Sequence, residues 1–306
     1  MDKKELLIKV LLLGSSGQVG FELNNSLKPF FNLKLVNRSD INLQDFERLD
    51  SIIEKFSPDV IINAIAYTDV DKAESDSNEA FRVNADLVQH LAEMAKLKDA
   101  LLLHYSTDYV FDGYFEGSYT EESRVNPLSV YGKSKLLGEE SIIRSGCKYL
   151  IFRTCWVYSE RRKNFLLTMI NAFRTKEFIN VVDDQIGTPT SSNLISELTL
   201  NCLKKIFYQD TSLNEVIGIY NMTAKGETSW HGFAVSIFER LKSLGYKDMK
   251  TNSINQISSD EYLLPAKRPK NSKLSTAKII ETFGTDILNW EHYSNDLLEK
   301  IVANTE

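Results

Sequence analysis

Short apolar runs alternate with longer amphipathic stretches through the first half of the chain. Residues 9–13 (KVLLL), 33–36 (LKLV), 59–63 (DVIIN), 100–105 (ALLLHY) and 149–153 (YLIFR) read as strands. Between them, 20–27, 46–56, 80–96 and 130–144 carry helical spacing of apolar positions. Pro58 marks a helix end before the third strand. Strands alternating with helices imply parallel βαβ units. Runs such as VLLL and DVIIN are apolar on both faces, as strands covered on both sides should be. The expected fold is therefore α/β, a Rossmann-like doubly wound parallel sheet. The second half is less regular, with helices expected at 164–175, 192–207 and 230–244 and turn-rich segments between. It reads as a smaller substrate-binding lobe. The expected division is 1–155 for a dinucleotide-binding domain and 156–306 for a lobe interleaved with it. No repeat and no Gly/Ser/Pro-rich linker separates the two.

The length of 306 residues fits this division. With 36 Lys and Arg against 42 Asp and Glu, the net charge is −6, which argues against a nucleic-acid binder. Cys147, Cys155 and Cys202 are widely spaced and odd in number, which favours buried reduced thiols over disulfides or a zinc knuckle. His90, His104, His231 and His292 form no HExxH pattern, which disfavours a metal enzyme. Lys3 and Lys4 ahead of LLIKVLLLG resemble a signal peptide, but Lys9 interrupts the run and no small-residue cleavage site follows. No apolar stretch approaches the ~18 residues of a spanning helix. A cytoplasmic protein without membrane partners is expected.

Gly14, Gly17 and Gly20 punctuate GSSGQVG, directly between the first strand and the first helix. Glycines there permit a tight turn and close backbone approach, and the helix N-terminus presents free N–H groups to a pyrophosphate. The second strand ends in Asn37-Arg38-Ser39-Asp40, with no acid at its tip. Arg38 reads either as the partner of a 2′-phosphate or as a solvated turn residue. Asp40, with Ile41, faces the adenine side. The cofactor expected is NADPH, with NADH tolerated.

Tyr131 and Lys135 form a YxxxK pair on one helical face. A tyrosine pKa of ~10 is high for proton traffic at neutral pH. An ammonium at ~4 Å and an effective dielectric of ~20 favours the phenolate by about 4 kcal/mol. That predicts a Tyr131 pKa lowered by roughly three units. Thr107 follows the fourth strand, where ligands bind in doubly wound folds. Glycine loop, strand-end hydroxyl and YxxxK are together the working parts of short-chain dehydrogenase/reductases.

Further segments are similar to the dTDP-4-dehydrorhamnose reductase family: INAIAYTDVDKAE (62–74), VNA (83–85), STDYVFDG (106–113), NPLSVYGKSKLLGEE (126–140), RTCWVY (153–158), VVDDQIGTPT (181–190), GIYNMTAKGETSWHGFA (218–234) and KRPKNSKLST (267–276). The resemblance implies reduction of the C4 ketone of dTDP-4-dehydro-L-rhamnose to dTDP-L-rhamnose. Gly17, Gln18 and Val19 would contact the pyrophosphate, and Ala64, Ala66, Tyr67 and Thr68 would line the cofactor after strand three. Thr107, Tyr131 and Lys135 would be catalytic. Asp108 and Trp156 would reach the sugar, and Arg268 a phosphate. On the residues alone, Trp156 is core or substrate platform, VVDDQIGTPT is an acidic structural turn, and KRPKNS is a solvated charge run. Ile65 replaces the family's usual small residue, and Ser159–Lys163 replaces a glycine-rich turn beside the expected sugar site. Some family members bind Mg²⁺ at a dimer contact, with Glu22 here at a matching position. The state expected is monomer or homodimer.

Three rivals remain. A 4,6-dehydratase would carry a second acid where Tyr109 stands. A reductase of a related 4-keto sugar nucleotide shares the triad. A reductase-like regulatory subunit, of the kind that serves methionine adenosyltransferase, would have lost it.

Overall fold

The computed structural model describes residues 8–42, 45–209 and 211–304. Lys3 and Lys4 lie outside the described residues. The first half contains β1 (Lys9–Leu13), α1 (Gln18–Leu27), β2 (Asn32–Val36), α2 (Glu47–Phe56), β3 (Val60–Asn63), α3 (Val70–Ser75), α4 (Ser77–Phe81), α5 (Leu87–Lys98), β4 (Leu101–Thr107), α6 (Val130–Ser145) and β5 (Lys148–Thr154). The expected helix over 80–96 is a longer helical run, with a π turn at Arg82–Asp86 joining α4 to α5. Helix α2 stops at Ser57, which takes a left-handed conformation just before Pro58.

The second half contains β6 (Val157–Tyr158), α7 (Phe165–Thr175), β7 (Phe178–Val182), β8 (Ile186–Gly187), β9 (Thr190–Ser191), α8 (Ser192–Tyr208), α9 (Leu213–Val216), β10 (Gly218–Asn221), β11 (Thr228–Ser229), α10 (Trp230–Ser243), β12 (Ser253–Ile257), α11 (Ala277–Phe283) and α12 (Trp290–Ala303). The expected division at 155 and 156 falls between β5 and β6. The main sheet nevertheless takes a strand from beyond it. Its order is β10-β5-β4-β3-β1-β2, and every pairing is parallel.

Alternation along each strand divides the core. Val10 and Leu12 of β1, Ile62 of β3, Leu103 and Tyr105 of β4, and Phe152 of β5 face α1, α7, α8 and α10. Leu11 and Leu13, Ile61, Leu102 and Ile151 face α2, α5 and Ile142 of α6. All but Tyr105 are fully buried, so the hydrophobic drive is satisfied on both faces. The chain leaves β1 toward β2 on one side and reaches β3 on the other. That reversal opens a crevice at the carboxyl ends of β1 and β3. Among the described residues no helix is long and apolar enough to cross a membrane.

Candidate active site

The crevice is floored by the glycine loop. Gly14 has φ +85°, which favours glycine, and its N–H donates to Val36 O at 2.7 Å. A Cβ on Gly20 would stand 2.1 Å from Gly14 O, so only glycine lets α1 start this close to the turn. Serine or asparagine side chains cap α6, α7, α8 and α10, but no side chain caps α1 at Gly17. The first-turn N–H groups of α1, including those of Gln18 and Val19, have no intrahelical acceptor. An uncapped N-terminus behind a loop too tight for side chains fits a pyrophosphate.

The tip of β2 supports that loop. Asn37 Oδ1 accepts from Ser15 Oγ and from Ser16 N–H, both at 3.0 Å. Asp40 turns its carboxylate back to the Asn37 N–H at 2.8 Å, and Ile41 is buried. Arg38 does not stand free. It pairs with Glu79, which Arg82 also approaches at 3.5 Å. After β3, Ala64 and Ala66 are partly buried and Thr68 is exposed. Tyr67 is buried, its backbone clasped by Asn84, which also bonds Ser134 on α6. Ile65 is buried, with its side chain against Gly14.

The Ser159–Lys163 stretch reaches back over the glycine loop. Ser159 Oγ donates to Gln18 Oε1 at 2.9 Å, Asn164 Nδ2 to the same atom at 3.2 Å, and Arg162 Nε to Ser16 O at 3.1 Å.

Thr107 is the last residue of β4, and Tyr131 lies in the first turn of α6, two positions after the Ser129 cap. Thr107 Oγ1 donates to Asp108 Oδ1 at 3.0 Å and accepts from Tyr109 N–H at 3.2 Å. Burial pushes the Tyr131 phenol up to about 12; the Thr107 hydroxyl opposes the shift and the Asp108 carboxylate adds to it. This reverses the lowered pKa expected from YxxxK. The reason is burial of the phenol, while the Lys135 Nζ donates to Tyr105 O at 2.6 Å and lies 3.1 Å from His104 Nε2. Burial pulls Lys135 down to about 8, with Glu139 opposing. The arrangement holds Tyr131 protonated, the form a proton donor needs.

Asp108 is raised to about 6 by burial, against hydrogen bonds from Ser272 and Thr107. Its Oδ2 has no partner, nor do the nearby buried hydroxyls of Ser106 and Thr154. Unpaired buried polar atoms gathered at the carboxyl ends of β4 and β5 suit a polar ligand. Trp156 is only partly buried and takes φ +47°. It stacks on Trp230 at 3.6 Å between ring centroids and packs against Gly187. Arg268 does not face solvent as part of a charge run. It makes a two-pronged pair with Asp71 of α3 at 2.7 and 3.1 Å. Asp184 accepts from Ser259 N–H at 2.8 Å, and Thr188 O accepts from Cys155 Sγ at 3.2 Å.

The sequence reading missed His104 and Asn63. A histidine inside the apolar run ALLLHY was the available signal. Among the described residues no group of three or more His, Cys, Asp or Glu is placed to hold a metal ion, and nothing supports a Mg²⁺ site at Glu22.

Residues 8–303 match the family model described as the RmlD substrate binding domain. The chain is 40% identical to dTDP-4-dehydrorhamnose reductase of Burkholderia thailandensis, over 93% of this chain and 96% of that one. It is 36% identical to the same enzyme of Shigella flexneri, over 97% and 99%. Among solved structures, it superposes on a dTDP-4-dehydrorhamnose reductase of Clostridium acetobutylicum with a TM-score of 0.87, at 33% identity over 96% of this chain and all of that one. The Bacillus anthracis enzyme in complex with NADP gives 0.85, at 29% identity over 96% and 99%.

Proposed function

This chain belongs to the dTDP-4-dehydrorhamnose reductase family, and from that premise we propose that it reduces the C4 ketone of dTDP-4-dehydro-L-rhamnose to dTDP-L-rhamnose. The observation that carries the reading is the convergence of Thr107, protonated Tyr131 and Lys135 beside the uncapped glycine-loop end of α1. NADPH is the preferred cofactor, with NADH tolerated; the NADP complex of the Bacillus anthracis relative supports NADPH. When bound, the reduced nicotinamide supplies a hydride to C4.

The backbone N–H groups of Gln18 and Val19 hold the pyrophosphate. Ala64, Ala66, Tyr67 and Thr68 line the side of the crevice after β3. Thr107 Oγ1 orients the ketone oxygen. Tyr131 donates its phenolic proton to that oxygen as negative charge develops there. The Lys135 charge compensates the phenolate left on Tyr131. The Trp156–Trp230 stack gives the sugar ring a flat apolar wall, and Asp108 accepts from a sugar hydroxyl. Arg268 meets the diphosphate when it leaves Asp71.

Tyr131→Phe tests the assignment. Turnover should fall about 10²- to 10⁴-fold while NADPH affinity stays nearly unchanged. Near-normal turnover refutes it. Product NMR across a panel of 4-keto sugar nucleotides reads C4 stereochemistry, and a preferred product other than dTDP-L-rhamnose moves the reading to a related reductase.

A further inference from the structure

Three polar side chains follow the end of β2, and two of them are committed locally. Asn37 supports the glycine loop through Ser15 and Ser16, both at 3.0 Å. Asp40 turns its carboxylate back to the Asn37 N–H at 2.8 Å, so it is not the acid a ribose would meet. Arg38 extends toward α4 and meets Glu79. Glu79 gives its two oxygens to two guanidiniums: Oε1 to Arg38 Nη2, and Oε2 to Arg82 Nη1 at 3.5 Å. The backbone on both sides is anchored. Val36 and Ile41 flank Arg38 and are buried, and Ala80 beside Glu79 is fully buried. The side chains themselves remain reachable, with 51% of Arg38 and 27% of Glu79 exposed. One carboxylate held between two guanidiniums reproduces the way a phosphate is held, each anionic oxygen taking N–H donors from a separate fork. In a doubly wound fold the end of the second strand is also where the 2′ position of the adenosine ribose lies.

We infer that Glu79 is a cofactor-specificity residue: an internal anion that occupies the place of a 2′-phosphate between Arg38 and Arg82, and that itself accepts from a 2′-hydroxyl. The inference rests on the reading of this crevice as a dinucleotide site, and adds why the site takes both cofactors. A phosphomonoester carries about −1.5 to −2 charge at pH 7. The 2′-phosphate of NADPH therefore out-competes the single charge of Glu79 for Arg38 and Arg82, and Glu79 swings aside. NADH presents a neutral hydroxyl at the same point. It cannot draw the guanidiniums off the carboxylate, but it can donate to it. The acid that NAD-binding folds place at the end of the second strand is here supplied from α4. Glu79 thus acts on the two cofactors with opposite sign. It competes with the phosphate for its cations and repels it, while it holds the hydroxyl. A partly exposed pair of this kind is weak, so NADPH displaces it at a moderate loss of affinity.

The test is the dissociation constant of NADPH and of NADH for the intact protein, each read by fluorescence titration without substrate. Glu79→Gln keeps the size of the side chain and removes its charge. NADPH should then bind more tightly and NADH no more tightly, so the ratio of the NADH constant to the NADPH constant should rise at least about threefold. Arg38→Met should act on the phosphate alone: NADPH affinity falls at least about tenfold while NADH affinity moves less than about threefold. A ratio raised less than about threefold by Glu79→Gln, or NADH weakened as much as NADPH by Arg38→Met, overturns the inference. A merely structural role for Glu79 would weaken both cofactors alike and leave the ratio in place, which is the overturning result. If Glu79→Gln fails to fold, the two constants of Arg38→Met decide. A parent that binds neither cofactor counts against the dinucleotide reading itself, whereas a parent that binds both while the ratio stays fixed in Glu79→Gln sinks only the role of Glu79.

Discussion

Glu139→Gln removes one charge from the most deeply buried ion pair among the described residues. Side-chain exposure is 1% for Glu139 and 3% for Arg153. The pair is two-pronged: Arg153 Nε donates to Oε1 at 3.0 Å and Nη2 to Oε2 at 2.6 Å. Arg153 also reaches Glu121 O at 3.4 Å and lies over the Phe111 ring at 5.1 Å. Burial makes the asymmetry large. Two opposite charges partly offset each other's desolvation, whereas one charge left alone does not, and breaking such a pair typically costs about 3–5 kcal/mol. An unfolding entropy of about 2.1 cal/mol/K per residue gives roughly 0.6 kcal/mol/K for a chain of this length. The expected fall in Tm is therefore about 5–8 °C, read by scanning calorimetry with a denaturant titration beside it. The double variant Glu139→Leu with Arg153→Met removes both charges and should lose less than either single change. A Tm loss under about 2 °C for Glu139→Gln, or single effects that simply add in the double, would refute the reasoning. A second readout ties the pair to chemistry. The Glu139 charge raises Lys135, so its removal should move the Lys135 midpoint below about 8.

Two further outcomes are expected. Gly20→Ala places a methyl 2.1 Å from Gly14 O, so the start of α1 must shift, and NADPH affinity measured by fluorescence titration should fall at least about tenfold; binding at parental strength would show that the loop yields without harm. Asp108 is raised in the folded state to about 6, above its unfolded value, so its contribution to stability is full below pH ~4 and is lost as pH rises through 6. The shift of about two units corresponds to roughly 3 kcal/mol, so Asp108→Asn should gain about that much stability relative to the parent between pH ~4.5 and ~7.5 in denaturant titrations, and parallel pH curves would contradict the raised value.

What the sequence determined by itself is whatever a short stretch of chain encodes. Apolar runs such as KVLLL and DVIIN specify buried parallel strands, because their side chains have nowhere wet to point. Glycine spacing specifies a turn that admits no Cβ, and YxxxK specifies a shared helix face. The family resemblance followed from motifs of the same local kind. Strand β10 was harder to see. It has four residues and joins the sheet only by pairing with β5, whose residues lie far back in the chain. Tertiary structure alone decided the protonation states. Spacing predicted a lowered Tyr131, but the helix buried the phenol while β4 drew Lys135 toward Tyr105 O and His104. The same holds for Arg38 against Glu79 and Arg268 against Asp71, where each guanidinium found an acid on another element before any ligand. The physical reason is common to all of these. Periodicity and turn geometry are properties of neighbours in sequence, whereas dielectric, hydrogen-bond partners and tautomers belong to whatever the fold brings alongside.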